Sequence, residues 1–114
     1  MPSTLASCSV AMLAVLLMLV PASRVALAET VTPRRAVELE RLIRHDCGSC
    51  HGMTLKGGLG PDLRSERFGG VPPPAIAAII LDGVPGTAMP PWRPLLSEAE
   101  AHWIAAYLSK GSAP

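Results

Sequence analysis

An unbroken apolar run, Val10 to Val20, precedes the part of the chain in which apolar and polar residues alternate at helical spacing. Its eleven residues fall well short of the ~20 that a helix needs to cross a bilayer. The sequence Ala26-Leu27-Ala28 follows shortly afterwards and has the A-x-A pattern of a cleavage site. We therefore predict that residues 1–28 form a cleaved signal peptide for export and that residues 29–114 form the mature domain, with no permanent membrane anchor.

The first amphipathic segment of the mature chain begins at Thr32, which can cap a helix, and Pro33, which suits its first position. Basic and acidic residues occupy the other faces of this segment. The apolar residues recur at helical spacing along one side: Ala36, Leu39, Leu42 and Ile43. This pattern predicts a helix that runs to Asp46.

The middle of the chain is rich in glycine and proline. Residues 52–63 contain several glycines with little apolar periodicity and are predicted to form a loop, whereas residues 64–71 give no clear prediction. Three prolines precede the apolar run 75–81, which ends at Asp82-Gly83, and leading prolines favour a short helix. Residues 83–94 contain four prolines and are predicted to be an irregular loop.

A last helix is predicted from the capping box Ser97-Glu98-Ala99-Glu100 through Lys110, with Gly111 as its stop. One face of this helix carries most of its large apolar side chains: Leu96, Ala99, Trp103 and Tyr107, with Ile104 and Leu108 alongside. Neither repeats nor strand patterns occur in the sequence, so the predicted fold class is all-α.

Composition indicates a single small domain with a thin protein core. Cleavage after Ala28 leaves 86 residues, in which one Phe, two Trp and one Tyr are the only aromatic residues. These residues contain nine basic and nine acidic side chains. A balanced charge gives no reason to expect nucleic acid or an anionic membrane as a partner.

The sequence Cys47-Gly48-Ser49-Cys50-His51 carries the chemistry of the domain. Two cysteines three positions apart, with a histidine directly after the second, form the attachment signature of a c-type haem. Both thiols reach the vinyl groups of one porphyrin, and His51 is delivered below the ring to bind the iron. We predict one covalent haem c held by Cys47 and Cys50, with the porphyrin supplying the missing apolar centre of the domain.

Two other kinds of site use a pair of cysteines. Zinc takes about four ligands, and the mature chain has no second cysteine pair to complete such a set. A redox pair of the thioredoxin kind lies beside a βαβ pattern, and the sequence shows none. Both alternatives are therefore weaker than haem attachment.

The second axial position of the iron has four candidate ligands: Met53, Met89, His45 and His102. Met53 and His45 are too near His51 in sequence to reach the other face of the ring, and a solvated surface histidine is the simpler interpretation of His102. Met89 lies in a proline-stiffened loop long enough to arch over a haem. We favour Met89 over a core-packing methionine, because Met/His ligation is common in electron-carrying cytochromes.

Taken together, these features resemble class I cytochromes c across essentially the whole mature chain. The matching segments occur in the family's order: Cys47–His51, Gly60-Pro61, Gly86–Pro91 and the aromatic C-terminal helix. This resemblance implies a small fold around one haem, in which the first and last helices cross so that Leu39 and Ile43 meet Trp103 and Tyr107. It also implies that the Pro61 carbonyl accepts a hydrogen bond from His51 Nδ1 and orients the ligand.

Three longer segments are similar to the cytochrome c55X family, the NirC-type cytochromes encoded among denitrification genes: His45–Gly52, Thr54–Pro61 and Leu81–Leu95. The resemblance implies a periplasmic electron donor whose partner is the nitrite reductase that carries haems c and d1. We therefore expect a monomeric one-electron carrier, not an enzyme. An alternative that it also suggests is a binding or assembly module in d1 haem maturation or nitrite reductase biogenesis. Ligation by Met89 argues against a haem enzyme or gas sensor, since no open iron position remains for a substrate.

A docking surface for the partner is expected at the haem edge. An apolar rim with one nearby charge, Lys56, is predicted to frame that edge: Met53, Leu55, Leu59, Ala88, Pro90 and Pro91. Because the mature chain has no net side-chain charge, long-range electrostatic steering is expected to be weak.

Overall fold

The computed structural model describes residues 29–111, and the predicted signal peptide lies outside the described residues. The helices are α1 (Pro33–Leu42), α2 (Gly48–His51), α3 (Pro73–Asp82) and α4 (Glu98–Ser109), with a π-helical segment at Ile43–Cys47 and a 3₁₀ turn at Ser65–Arg67. Between residues 29 and 111 there is no strand, which confirms the predicted all-α class. None of the helices in this range has the length and apolar character to span a membrane.

The first helical stretch is longer than the sequence pattern predicts. It begins as expected, with the Thr32 hydroxyl accepting a hydrogen bond from the Arg35 amide at 3.2 Å. It does not end at Asp46, however, because α1 widens into the π-helical segment and continues through α2 to His51. Gly52 is the first residue to leave the helical backbone, at φ +87°, so the haem attachment sequence is itself helical.

The other two long helices have the predicted signals at their ends. Helix α3 begins with Pro73 at its first position and ends at Gly83, whose φ is +67°. At the start of α4, the Glu100 amide donates to the Ser97 hydroxyl at 3.3 Å and the Ser97 amide donates to the Glu100 carboxylate at 2.8 Å. This reciprocal pair confirms the predicted capping box.

The hydrophobic core combines α1 with α3 and α4. Leu39 and Ile43 are almost completely buried. The residues of α4 that join them in the core are Ala101, Ile104, Ala105 and Leu108. The buried face of α4 is therefore rotated from the predicted one, with Ala101 and Ala105 in the core where Ala99 and Trp103 were expected. Trp103 and Tyr107 are only partly buried and stack on each other at the edge of the core, with ring centroids 5.2 Å apart.

Leu55 belongs to this core and not to the exposed rim in which the sequence analysis placed it. Its side chain is fully buried, and its φ of +57° is unusual for a residue other than glycine. The Leu55 amide donates to the Gly52 carbonyl at 2.8 Å, and the Leu55 carbonyl accepts from the Leu63 amide at 2.9 Å. These bonds fold the glycine-rich loop back on itself and turn Leu55 inward.

Candidate haem-binding site

His51 lies at the end of α2 with its imidazole largely buried, 8 % exposed. Its Nδ1 is 2.7 Å from the Pro61 carbonyl oxygen, the contact that the family resemblance implies. A carbonyl can only accept a hydrogen bond, so Nδ1 is the donor, and in the neutral imidazole this leaves the electron pair of Nε2 free. The ring is thus in the tautomer that offers Nε2 to a metal.

The loop after His51 packs closely around the imidazole. The Gly57 amide donates to the His51 carbonyl and the Gly60 amide donates to the Cys50 carbonyl, both at 2.8 Å. A Cβ atom at Gly60 would lie only 2.6 Å from His51 Cε1. Glycine is therefore required at position 60, because the backbone approaches the ring too closely for a side chain.

Cys47 and Cys50 lie one helical turn apart and line the same cavity as His51. Burial, with a contribution from the neighbouring Asp46 carboxylate, raises the pKa of the Cys47 thiol to about 11. Catalytic thiol pairs have the opposite property, a lowered pKa that yields the reactive thiolate. Among residues 29–111, no group of three or more His, Cys, Asp and Glu side chains comes together as a metal site would need. A buried thiol with a raised pKa does not fit the thiol redox interpretation.

A cavity of about 680 Å³ opens beside His51 and lies within the size range of cofactor sites. All three long helices and both long loops contribute to its walls. Most of the lining side chains are apolar: Leu42, Leu59, Leu63, Phe68, Val71, Ile76, Ile79, Ile80, Val84, Ala88, Trp92, Leu96, Ile104 and Leu108. An apolar cavity with two thiols and an imidazole in one wall fits a covalently attached porphyrin.

Few charged side chains line this cavity. Arg64 binds the Asp62 carboxylate at 2.6 Å and lowers the pKa of that carboxyl to about 2. Among the lining residues of the described chain, Arg67 is the single basic side chain. Its side chain is exposed.

Met89 lines the cavity together with His51, whereas the three other candidate ligands are absent from its lining. Met53 is 55 % exposed, and His45 and His102 are also exposed. The Met89 carbonyl accepts from the Val84 amide at 3.2 Å, and the Met89 amide donates to the Thr87 hydroxyl at 3.2 Å. Hydrogen bonds at both the amide and the carbonyl of Met89 thus fix its backbone within the loop.

Sequence reasoning identified the attachment residues but missed part of the cavity wall. Ile76, Ile79 and Ile80 of α3 line the cavity, whereas the sequence predicted a short helix here without placing it at the haem site. The available signal was the composition of this helix, which carries apolar residues around most of its circumference. Such a helix needs apolar neighbours on more than one side.

Comparison with known proteins agrees with this site. The family model described as cytochrome C oxidase, cbb3-type, subunit III matches residues 34–108. Cytochrome c55X of Paracoccus denitrificans is 48 % identical over 94 residues, covering 82 % of this chain and 91 % of that protein. Cytochrome c55X of Pseudomonas aeruginosa is 49 % identical over 78 residues, covering 68 % of this chain and 66 % of that protein.

A solved structure, the c-type cytochrome NirC, shares 46 % identity and superimposes with a TM-score of 0.71, covering 73 % of this chain and 99 % of that chain. A dihydro-heme d1 dehydrogenase of Pseudomonas aeruginosa is 38 % identical over 69 residues, which cover 60 % of this chain but only 14 % of that enzyme. The family match together with the thiols and imidazole in the cavity wall establishes haem c, attached through Cys47 and Cys50. The chain belongs to the c-type cytochromes, in the cytochrome c55X family, and is an electron carrier with a redox partner protein, not an enzyme.

Proposed function

We propose that this cytochrome is a periplasmic, monomeric one-electron carrier that uses His51 and Met89 as iron ligands and donates electrons to nitrite reductase in denitrification. The observation that carries the proposal is that His51 and Met89 line one apolar cavity while Met53, His45 and His102 stay outside it. If His51 and Met89 both held the haem iron, no position on it would remain open for a substrate, and the group would serve electron transfer alone. The bound haem supplies the redox chemistry, and the chain sets its potential and its docking face.

The ligand assignment has a direct test in Met89→Ala holoprotein. We expect this variant to lose the weak sulfur-to-iron absorption band and to have a lower midpoint potential, because thioether ligation favours ferrous iron. Met53→Ala and His102→Ala serve as matched controls and should leave both properties unchanged. If either control loses the band while Met89→Ala retains it, Met89 is not the ligand.

The partner assignment is supported by the similarity to the cytochrome c55X and NirC proteins. The test is to mix the reduced holoprotein with nitrite reductase that carries haems c and d1 and to follow haem oxidation in a stopped-flow instrument. Oxidation by ferricyanide provides the control for redox competence. Rapid oxidation by ferricyanide with none by nitrite reductase would exclude that enzyme as the direct acceptor.

The periplasmic location rests on the predicted signal peptide, whose apolar run is followed by Ala26-Leu27-Ala28. Fractionation of cells that express the full chain should place the haem protein in the periplasmic extract. N-terminal sequencing of the purified protein should begin at Glu29. Retention of the protein in the membrane fraction with an intact leader would contradict both the location and the cleavage.

A second candidate function is a binding or assembly module in d1 haem maturation or nitrite reductase biogenesis. The observation that favours it is the similarity to part of the Pseudomonas aeruginosa dihydro-heme d1 dehydrogenase, since a domain of this kind occurs within that enzyme. Titration of the holoprotein with free d1 haem distinguishes the two functions. Saturable binding of the second tetrapyrrole supports the module, whereas electron transfer to nitrite reductase without such binding supports the carrier.

A further inference from the structure

Gly83 ends α3 and begins the loop that carries Met89. Its backbone dihedral angles are φ +67° and ψ −170°, a region that is essentially restricted to glycine. The residue is buried, and its amide donates to the Ile79 carbonyl at 2.9 Å. The loop therefore leaves the helix at a point that is fixed by the last turn of α3.

The backbone of residues 89–91 lies directly against this glycine. A Cβ atom at position 83 would be 2.7 Å from both the Pro90 carbonyl carbon and the Pro91 nitrogen. It would also be 2.8 Å from the Met89 carbonyl oxygen. All three atoms belong to the main chain, so no side-chain rotation can relieve the overlap.

Hydrogen bonds on either side of the contact hold the two backbone segments together. The Val84 amide donates to the Met89 carbonyl at 3.2 Å, and the Trp92 amide donates to the Leu81 carbonyl at 3.1 Å. A side chain at position 83 would therefore have to separate two paired segments. One of these two segments carries Met89.

We propose that Gly83 is a positioning residue for Met89: its missing side chain lets the backbone of residues 89–91 seat against the end of α3 and brings the methionine sulfur to the iron. This inference rests on the proposed ligation by Met89. Any side chain at position 83 shifts residues 89–91 away from the helix and opens the axial position to external ligands. The role of Gly83 is thus to keep the iron closed to substrates.

The same loop contains a matched control. Gly86 also has a positive φ, +78°, so alanine is strained there as well. No atom lies within 4 Å of the Cβ position at Gly86. Comparison of Gly83→Ala with Gly86→Ala therefore sets a methyl group that meets the backbone of residues 89–91 against one that meets no atom, each at a glycine of positive φ.

The experiment compares the wild-type, Gly83→Ala, Gly86→Ala and Met89→Ala holoproteins, each with covalent haem. Three properties are measured: the sulfur-to-iron band of the ferric form, the midpoint potential, and carbon monoxide binding by the ferrous form. We expect Gly83→Ala to lose the band, shift to a lower potential and bind carbon monoxide, as Met89→Ala does. Gly86→Ala should keep the band and exclude carbon monoxide.

The outcomes separate this inference from the ligand assignment. If Met89→Ala retains the band, the ligand assignment fails. If Met89→Ala loses the band but Gly83→Ala keeps it and excludes carbon monoxide, ligation stands and the role of Gly83 is refuted. Equal loss in Gly83→Ala and Gly86→Ala would identify backbone strain as the cause and would also refute it.

Amide hydrogen exchange on the unaltered holoprotein tests the same contact should the Gly83→Ala protein fail to fold. The Val84 amide, paired with the Met89 carbonyl, should exchange slowly in the wild-type protein and quickly in Met89→Ala, where the loop is no longer tied to the iron. An unprotected Val84 amide in the wild-type protein would overturn the proposal.

Discussion

The guanidinium group of Arg35, in the first turn of α1, binds the carboxylate of Glu100, in the first turn of α4. This ion pair joins the two terminal helices of the mature domain. The Glu100 carboxylate also accepts a hydrogen bond from the Ser97 amide in the capping box. One side chain therefore both begins α4 and ties it to α1.

Glu100→Gln should lower the stability of the holoprotein and weaken its dependence on pH. Arg35 lowers the pKa of Glu100, so the carboxylate ionises more readily in the folded than in the unfolded state. The resulting stabilisation is fully present above the pKa of this carboxyl in the unfolded chain, about 4.3. It is lost as the pH falls through the lower pKa that the carboxyl has in the folded protein. Urea unfolding of wild type and variant at neutral pH and below pH 4.3 measures the difference.

The expected loss at neutral pH is below about 1 kcal/mol, because glutamine at position 100 can still accept the hydrogen bond from the Ser97 amide in the capping box, and only the partly exposed ion pair with Arg35 is removed. Glu98→Gln is the matched control, because Glu98 lies in the same turn but its side chain is 77 % exposed. Its carboxylate makes a looser contact, with 3.5 Å between Glu98 Oε1 and Arg93 Nη1. An unchanged pH dependence in Glu100→Gln would show that the Arg35 contact does not contribute to stability.

Replacement of both Cys47 and Cys50 by Ala should abolish covalent haem. The single variants each keep one thiol beside the cavity and should retain one thioether bond. Extraction of the haem with acidified solvent after denaturation measures the attachment. Haem that resists extraction from the double variant would refute the proposed linkage.

The mature chain without haem should be poorly folded. The cavity of about 680 Å³ is bordered by apolar side chains from all three long helices, and a domain of this size has little other core. Far-ultraviolet circular dichroism should show no cooperative thermal transition in haem-free protein, while the holoprotein unfolds cooperatively. A sharp transition in the haem-free chain would contradict this.

Electron transfer to the partner should depend only mildly on salt. The mature chain has equal numbers of basic and acidic side chains, and the Debye length is already about 8 Å at physiological ionic strength. Leu59, at the cavity wall, is 78 % exposed and therefore available for docking. Leu59→Glu should slow stopped-flow transfer more than Lys56→Gln does. A steep fall in rate with salt, with Leu59→Glu inert, would show that charge selects the partner.

Several features of this protein were determined by the sequence because they depend on neighbouring residues. The cysteines and histidine of the haem site lie within five consecutive residues, 47–51, and the capping box lies within four, 97–100. Prolines and glycines marked the ends of α3. Residues this close in sequence meet within one helical turn, so these features can be predicted without knowledge of the tertiary fold.

The tertiary structure decided what depends on residues far apart in the chain. Leu55 is buried through hydrogen bonds that fold its loop back, and Ala101 and Ala105, not Trp103 and Tyr107, face the centre of the core. The contact of Gly83 with residues 89–91 likewise exists only once α3 and the loop have packed together. The local sequence pattern predicts which segments are helical and where glycine allows a turn. Which of these segments contact each other is decided by how they pack around the cavity, and that packing depends on residues far apart in the chain.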